Sequence, residues 1–397
     1  MNIGIVGCGI FGASAALALA QRGHRITVFD RGGPPADDAA SADRSKALRF
    51  EYGAHCATYV PLVDESRAAY RALAAAHGAP LYIETGVLAL ARAFDELRHE
   101  RLSYDFLRAA GRPIALLDPR VAERRFPQFS WEGIAAGTWN PEGGYVRAAE
   151  AVRATVAAAR ALGADIRGSA RVADVDERPG AAIVELDGGA AHEFDAVLVC
   201  GGPWLGRFLP AEARAARVRP TRQFVTYYRP PSETQAALFE PAVSPSVDVN
   251  GFPVWMHDVT DSGWYGMPLQ EGLLKVARHE PGEAADPDAP RVVTEADREA
   301  SRAFVAAHVP AIRPEWYAED LGCLYAMTDD GHFLVDRVPG ATSLFVAGGG
   351  SGHGFKMGPA VGRMAADCIE AGGAEAAGAT KVAAEFRADA VRTGRVA

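Results

Sequence analysis

The chain has 397 residues, 49% of them hydrophobic and 23% charged. That is the balance of an ordinary globular protein, which excludes a disordered chain, a collagen-like fibre and a small disulfide scaffold. At roughly 100–200 residues per domain, the length predicts two domains or one large domain with an insert. The net charge of −9, from 41 Lys and Arg against 50 Asp and Glu, argues against a nucleic-acid coat or a polybasic membrane anchor, while a local basic pocket could still take a small anion.

No charged residue occurs between Met1 and Gln21. The stretch lacks the basic leader of a signal peptide, and glycines at 4, 7, 9 and 12 disfavour a membrane helix. Asn2 to Val6 reads as a buried strand and is followed by Gly7-Cys8-Gly9-Ile10-Phe11-Gly12, a GxGxxG. Small apolar residues at helical spacing run to Ala20, and Gln21-Arg22-Gly23 reads as a helix end. Ile26 to Phe29 is a second strand, closed by Asp30, 23 residues after Gly7. Strand, glycines, helix, strand and acid in this order form a dinucleotide-binding fingerprint. Gly7 permits the turn, Gly9 lets a pyrophosphate approach, and Gly12 lets helix and strand pack closely. The helix N-terminus offers N–H groups and a positive dipole end. Asp30 can accept bonds from ribose hydroxyls and repels a 2′-phosphate, so FAD or NAD is favoured over NADP.

Arg31 to Ala42 is a loop of Gly, Pro and Asp. Ser45 to Tyr52 is denser, and on a helical turn Lys46 and Arg49 would share a face. Arg67 to His77 looks helical, and Leu81 to Leu90 looks extended. Val146 to Leu162 is a strong helix pattern, followed by short strand-like pieces at Ala170 to Val175 and Ala182 to Leu186. Phe194 to Cys200 is a buried strand running into Gly201-Gly202, and Leu344 to Ala347 is another running into Gly348-Gly349-Gly350. Residues 217–315 carry more aromatics, prolines and alternating patterns, with a surface loop expected at Glu280 to Pro290. A helix is predicted over Ala360 to Ala371. Nucleotide-domain signals thus stand at the start, middle and end. The expected fold is α/β, a Rossmann-like dinucleotide-binding domain (1–80, 146–216 and 316–397) interleaved with a substrate domain on a mixed, largely antiparallel sheet (81–145 and 217–315). Such interleaving favours a flavoprotein over a simple NAD dehydrogenase. The five cysteines, Cys8, Cys56, Cys200, Cys323 and Cys368, are scattered without CxxC spacing. They suggest no metal site and no disulfide framework, and they fit a reducing cytoplasm.

Several motifs in order, VGCGIFGASAALALAQRG, KALRFEYG (46–53), ETGVL (84–88), NPEGGYV (140–146), VLVCGGPW (197–204), WYGMP (264–268), LGCLYAMTDDGHFLVD (321–336) and GSGHGFKMGPAVG (350–362), resemble monomeric sarcosine oxidase and its relatives among FAD-dependent amine oxidases. The resemblance runs over nearly the whole chain. It implies a two-domain flavoprotein that oxidises a secondary or primary amine, usually of an amino acid, and passes electrons to O2.

Residue by residue, the resemblance implies the following roles. Gly7, Gly9, Ile10, Phe11, Gly12, Asp30, Arg31, Ser45, Lys46, Gly201 and Trp204 would contact FAD. The same holds for the loop Gly350, Gly352, His353, Gly354, Phe355 and Lys356, where backbone N–H groups and a following helix would face the flavin's pyrimidine end. Cys323 would form a thioether to the flavin. Lys275 would lie over the ring and promote the reaction with O2, since a buried cation stabilises superoxide as it forms. Arg49 and Lys356 would hold a substrate carboxylate. Tyr265, His279 and Met256 would line the substrate cavity, with Tyr265 and His279 near the chemistry. Lys46 departs from the arginine common in relatives, keeping the charge and losing the fork. Ala42 replaces a common histidine.

The implied reaction is hydride transfer from an N-methyl amino acid, giving an imine that water splits to an amine and an aldehyde, and hydrogen peroxide from O2. A cyclic imino acid or primary amino acid as substrate, or a dehydrogenase using another acceptor, stays open. Lys275, Arg49, Lys356 and Cys323 together argue against a flavin-binding subunit without turnover. A monomer acting on a small molecule, with neither membrane nor nucleic acid as partner, is expected.

Overall fold

Asn2–Val6 (β1) is a short β-branched run with its interior positions buried. It pairs in parallel with Arg25–Phe29 (β2) on one side and Ala196–Val199 on the other. Between β1 and β2 lies the helix Ile10–Gln21 (α1), whose small residues leave it buried on most sides. In the computed structural model of the protein, residues 1–178, 180–209, 218–242, 251–259, 261–280, 282–378 and 382–388 are described. The expected boundary at 216/217, residues 243–250 of the substrate segment and Pro281 of the 280–290 loop lie outside them.

Two main sheets organise the chain. The first has six strands in the order Leu334–Arg337, Leu344–Gly348, Ala196–Val199, β1, β2, Asp165–Arg167, parallel except at its Leu334–Arg337 edge. The second has eight strands and is antiparallel except where Val254–His257 runs beside Val87–Ala91. Both draw on distant segments, so the chain crosses between them repeatedly, as the interleaved α/β expectation requires. Two smaller three-stranded sheets are also present among the described residues. Aliphatic side chains around α1 make one core, and an aromatic-rich core with Trp139, Trp255 and Phe304 underlies the large sheet. Among the described residues, no helix is long and apolar enough to cross a membrane.

Four local differences from the sequence reading have physical causes. Ser45–Leu48 is a strand, not a helical turn, because it pairs antiparallel with Gly144–Arg147. The run at 194–200 splits at Asp195, whose side chain accepts the Asn2 N–H at 2.7 Å and so ties down the start of β1. Tyr317–Met327, grouped by sequence with the nucleotide segments, pairs along Arg219–Tyr228 at the edge of the large sheet. Finally, helices at His99–Ala109 and Glu295–His308 fall within stretches read as the substrate domain. The second begins in a capping box of Thr294 and Asp297.

Candidate active site

The first glycines form a cradle. Gly7 has φ +94°, open to glycine at little cost. Gly9 is the extended residue before α1, whose first turn carries no acidic residue to oppose its dipole. Asp30 is buried and accepts the Cys8 N–H at 2.6 Å and the Gly32 N–H at 2.9 Å, so one carboxylate pins the turn after β1 and the exit of β2. A cavity of about 330 Å³ opens here, lined by Gly7, Gly9, Asp30, Arg31, Gly201 and Trp204 among others. The Arg31 guanidinium stacks 3.7 Å from the Trp204 ring centroid, making a flat wall.

A second cavity, about 140 Å³, adjoins the first and shares Gly9, Ala40, Ser41, Cys200, Gly202 and Pro203 with it. Ile10, Phe11, Cys323 and the glycines of the 348–354 loop line it. A third, about 60 Å³, shares Lys46, Tyr265, Gly352 and Phe355 with the second. Arg49, Lys356, His279, His353 and Met256 line this last chamber. The expected substrate group of Arg49, Lys356, Tyr265, Met256 and His279 is therefore assembled in one place. The three cavities form a row from Asp30 to Lys356.

Charge is unevenly arranged along the row. Lys356 Nζ is buried and donates to the Tyr52 hydroxyl and the His353 carbonyl, each at 2.8 Å. Burial first, then the Arg49 charge, holds its pKa well below the ordinary lysine value, with Glu51 opposing. Burial, helped by Arg49 and Lys356, pulls His279 down to about 3, so its imidazole is neutral. His279 Nδ1 lies 3.5 Å from the Tyr325 hydroxyl. Burial keeps Tyr265 protonated, with Tyr325 adding to the effect. The His353 ring is also held neutral by burial and Lys356, with its Nε2 on the Gly331 carbonyl at 2.8 Å.

Lys46 and Lys275 meet on Asp43. Asp43 accepts from Lys46 Nζ at 2.7 Å and from Lys275 Nζ at 2.5 Å. Lys275 also donates to the Ser45 carbonyl at 2.8 Å, so Ser45 enters through its backbone. Cys323 is 7% exposed and faces the second cavity. Burial pushes its thiol up, more than the charge of Lys46 pulls it down. Among the described residues, no group of three or more His, Cys, Asp or Glu could hold a metal ion.

The cradle suits a dinucleotide bearing a flat ring system. A Cβ on Gly12 would land on the Gly7 carbonyl, one on Gly352 on the Tyr325 ring, and one on Gly348 on Leu205, so both glycine loops approach their neighbours as only glycine allows. Gly7, Gly9 and α1 would hold a pyrophosphate, Asp30 a ribose, and Cys323, Lys46, Tyr265 and the 348–354 glycines the ring. Sequence reasoning missed Asp43, Tyr52 and Tyr325. Asp43 lies at the end of a loop rich in Asp, Gly and Pro and carries no motif. Tyr52 and Tyr325 stand inside the quoted motifs, where the resemblance assigns them no role.

A family model described as FAD dependent oxidoreductase matches residues 2–368. The N-methyl-L-tryptophan oxidase of Yersinia pestis (strain Pestoides F) is 25% identical over 371 residues, 91% of this chain and 93% of that protein. Among solved structures, the L-proline dehydrogenase of P. horikoshii superposes with a TM-score of 0.80 at 19% identity, covering 98% of this chain and 96% of that one. Glycine oxidase from Geobacillus kaustophilus gives 0.75 at 23%, covering 93% and 94%. These two likenesses concern the fold.

Proposed function

The chain belongs to the FAD dependent oxidoreductase family, and from that premise we propose that it oxidises the C–N bond of a small amino acid or N-methyl amino acid, with O2 as acceptor. The observation that carries this reading is the third chamber, where Arg49 and Lys356 converge beside the cavity that Cys323 lines. Bound FAD supplies the electron sink for a hydride leaving the carbon next to nitrogen.

The side chains have separate tasks. Arg49 and Lys356 bind the carboxylate, and Tyr52 with the His353 carbonyl fixes the direction of the Lys356 ammonium. Neutral His279 and protonated Tyr265 line the amine's side without placing a charge there. An amine bound between them can stay the free base, as loss of a hydride requires. Met256, Trp264 and Phe355 wall the chamber and restrict water. Lys46 and Lys275, tied through Asp43, provide the positive charge beside the ring cavity. Water then splits the imine into an amine and an aldehyde or oxo acid, and O2 departs as hydrogen peroxide. All five cysteines are free and buried, which supports a reducing compartment such as the cytoplasm.

The test is anaerobic bleaching of the flavin by a panel of N-methyl, cyclic and primary amino acids, each beside its amine lacking the carboxylate. The acids bleach and the carboxylate-free amines do not. Equal bleaching by both sets would remove the role of Arg49 and Lys356.

Covalent attachment through Cys323 is part of the proposal, supported by its place on the wall of the ring cavity. After acid denaturation, yellow colour and an added flavin mass are expected on the Cys323 peptide, and Cys323→Ala should release the flavin. Complete release from the parent protein would refute the linkage.

A further inference from the structure

The substrate chamber is small. Its volume is about 60 Å³, and every side chain that lines it is buried or half-buried. A water-sized group needs about 10–15 Å³, so roughly four to six non-hydrogen atoms fit. A carboxylate on Arg49 and Lys356 takes half of that room. What is left admits the α-carbon, the nitrogen and about one further carbon, which is the size of glycine, alanine or N-methylglycine.

The apolar part of the lining differs in stiffness. Ala47 and Val259 pack on the cluster that contains Met256, Val87 and Tyr145. Met256 has an unbranched, adaptable side chain. Val259 is branched at Cβ and has little rotamer freedom.

The backbone of Val259 is held as well. Its N–H donates to Glu100 Oε1 at 2.8 Å. Glu100 is buried in the first turn of the helix His99–Ala109, where the dipole favours a carboxylate. The residue before Val259, Asp258, is buried with φ +48°, a conformation that persists only where the surroundings fix it. The Asp258 N–H donates to the Leu90 carbonyl at 2.7 Å, and the Asp258 carbonyl accepts the Gly263 N–H at 3.1 Å. The Gly263 carbonyl in turn accepts the His279 N–H at 2.8 Å. The connection between Val254–His257 and Trp264–Gln270 is thus bound to the helix through Glu100 and to the chamber through His279. Trp264, at its end, stacks on Phe304 with ring centroids 4.5 Å apart.

We propose that Val259 sets the upper size of the substrate, that Glu100 is the positioning residue that fixes Val259, and that the preferred amino acid carries at most a single carbon beyond its α-carbon and nitrogen. This rests on the oxidase reading above and adds to it a size limit and the residues that impose it. Larger acids still reduce the flavin, with an efficiency that falls at each added carbon.

The experiment measures binding of straight-chain carboxylates, acetate to hexanoate, to the flavin-loaded protein by perturbation of the flavin spectrum, which needs no turnover. In the parent, affinity should rise from acetate to butyrate and fall about tenfold by hexanoate, as expected for methylenes that a fixed pocket has no room for. The hexanoate-to-acetate affinity ratio should rise about tenfold in Val259→Ala and fall in Val259→Leu. A general loosening of the protein would not move the ratio in opposite directions. Glu100→Ala should raise the ratio as Val259→Ala does. Glu100→Gln should restore it, because an amide oxygen still accepts the Val259 N–H. With glycine, N-methylglycine and N-methylleucine as anaerobic reductants, the variants should shift the concentration for half-maximal reduction more than the limiting rate. A parent protein that binds hexanoate as tightly as butyrate overturns the size limit. A ratio left unchanged by both Val259 variants overturns the role of Val259, and equal ratios in Glu100→Ala and Glu100→Gln overturn that of Glu100. Failure of every amine to reduce the flavin would instead defeat the oxidase reading, while the carboxylate series would still decide the role of Val259.

Discussion

Gly12→Ala should leave the chain unable to retain FAD. The added methyl would sit on the carbonyl oxygen of Gly7, a backbone atom in the turn between β1 and α1. Relief requires α1 to move outward or the turn to open. Outward motion is blocked by the helix Gly358–Ala371, which packs directly on α1. Its own contacts are already at the limit, since a Cβ on Gly358 would meet Ile10 and one on Gly362 would meet Ser14. Opening the turn breaks the Asp30 bond to the Cys8 N–H, and with it the phosphate cradle. Overpacking typically costs about 1–3 kcal/mol, and more where backbone meets backbone. The expected result is a purified protein without absorbance near the flavin band, with a lowered melting temperature. Gly33→Ala is the control, because nothing lies within 4 Å of its Cβ position and it should keep its flavin. Full flavin content in Gly12→Ala would refute the close-packing role.

That prediction concerns a feature the sequence displays openly, and the reason is locality. A strand, a tight turn and a helix within about twenty residues are governed by short-range sterics, which glycine spacing records. The family resemblance likewise singled out Arg49, Lys356, His279 and Tyr265, which the fold collects in one chamber. What stayed hidden is made of long-range pairing. Lys46 and Arg49 read as one helical face, because the strand partner that decides otherwise is Gly144–Arg147, about a hundred residues away. Asp43 looked like any acid in a polar loop. Its meaning depends on Lys275 and Tyr227, which lie more than 180 residues downstream. No local pattern marks a residue whose partners come from another sheet. The strand Tyr317–Met327 gave the same difficulty. Its Cys323 belongs with the flavin motifs while its backbone belongs to the large sheet, so chain segments and domains do not coincide there.

Lys356→Met and Arg49→Ala should each weaken binding of a simple carboxylate by about two orders of magnitude, the consequence of losing one partner of a buried charge pair worth about 3 kcal/mol. Acetate or propionate is the right ligand, because it has no amine to titrate and its binding can be followed by perturbation of the flavin spectrum. The parent protein should also show a pH dependence of defined sign. In the unliganded chamber, burial and Arg49 hold the Lys356 pKa well below its ordinary value. A bound carboxylate stabilises the ammonium and raises that pKa again. Below the unliganded pKa, Lys356 is charged in both states and affinity is flat. Above it, binding must recruit a proton, so affinity falls as pH rises, by up to about tenfold per unit. The neighbours do not mimic this. His279 and His353 are already neutral, and Tyr52 is held protonated by burial and donates nothing to the change. In Lys356→Met the residual binding should therefore lose its slope as well as its strength. An affinity that rises with pH, or a slope that survives Lys356→Met, would show that the carboxylate does not rest on this lysine.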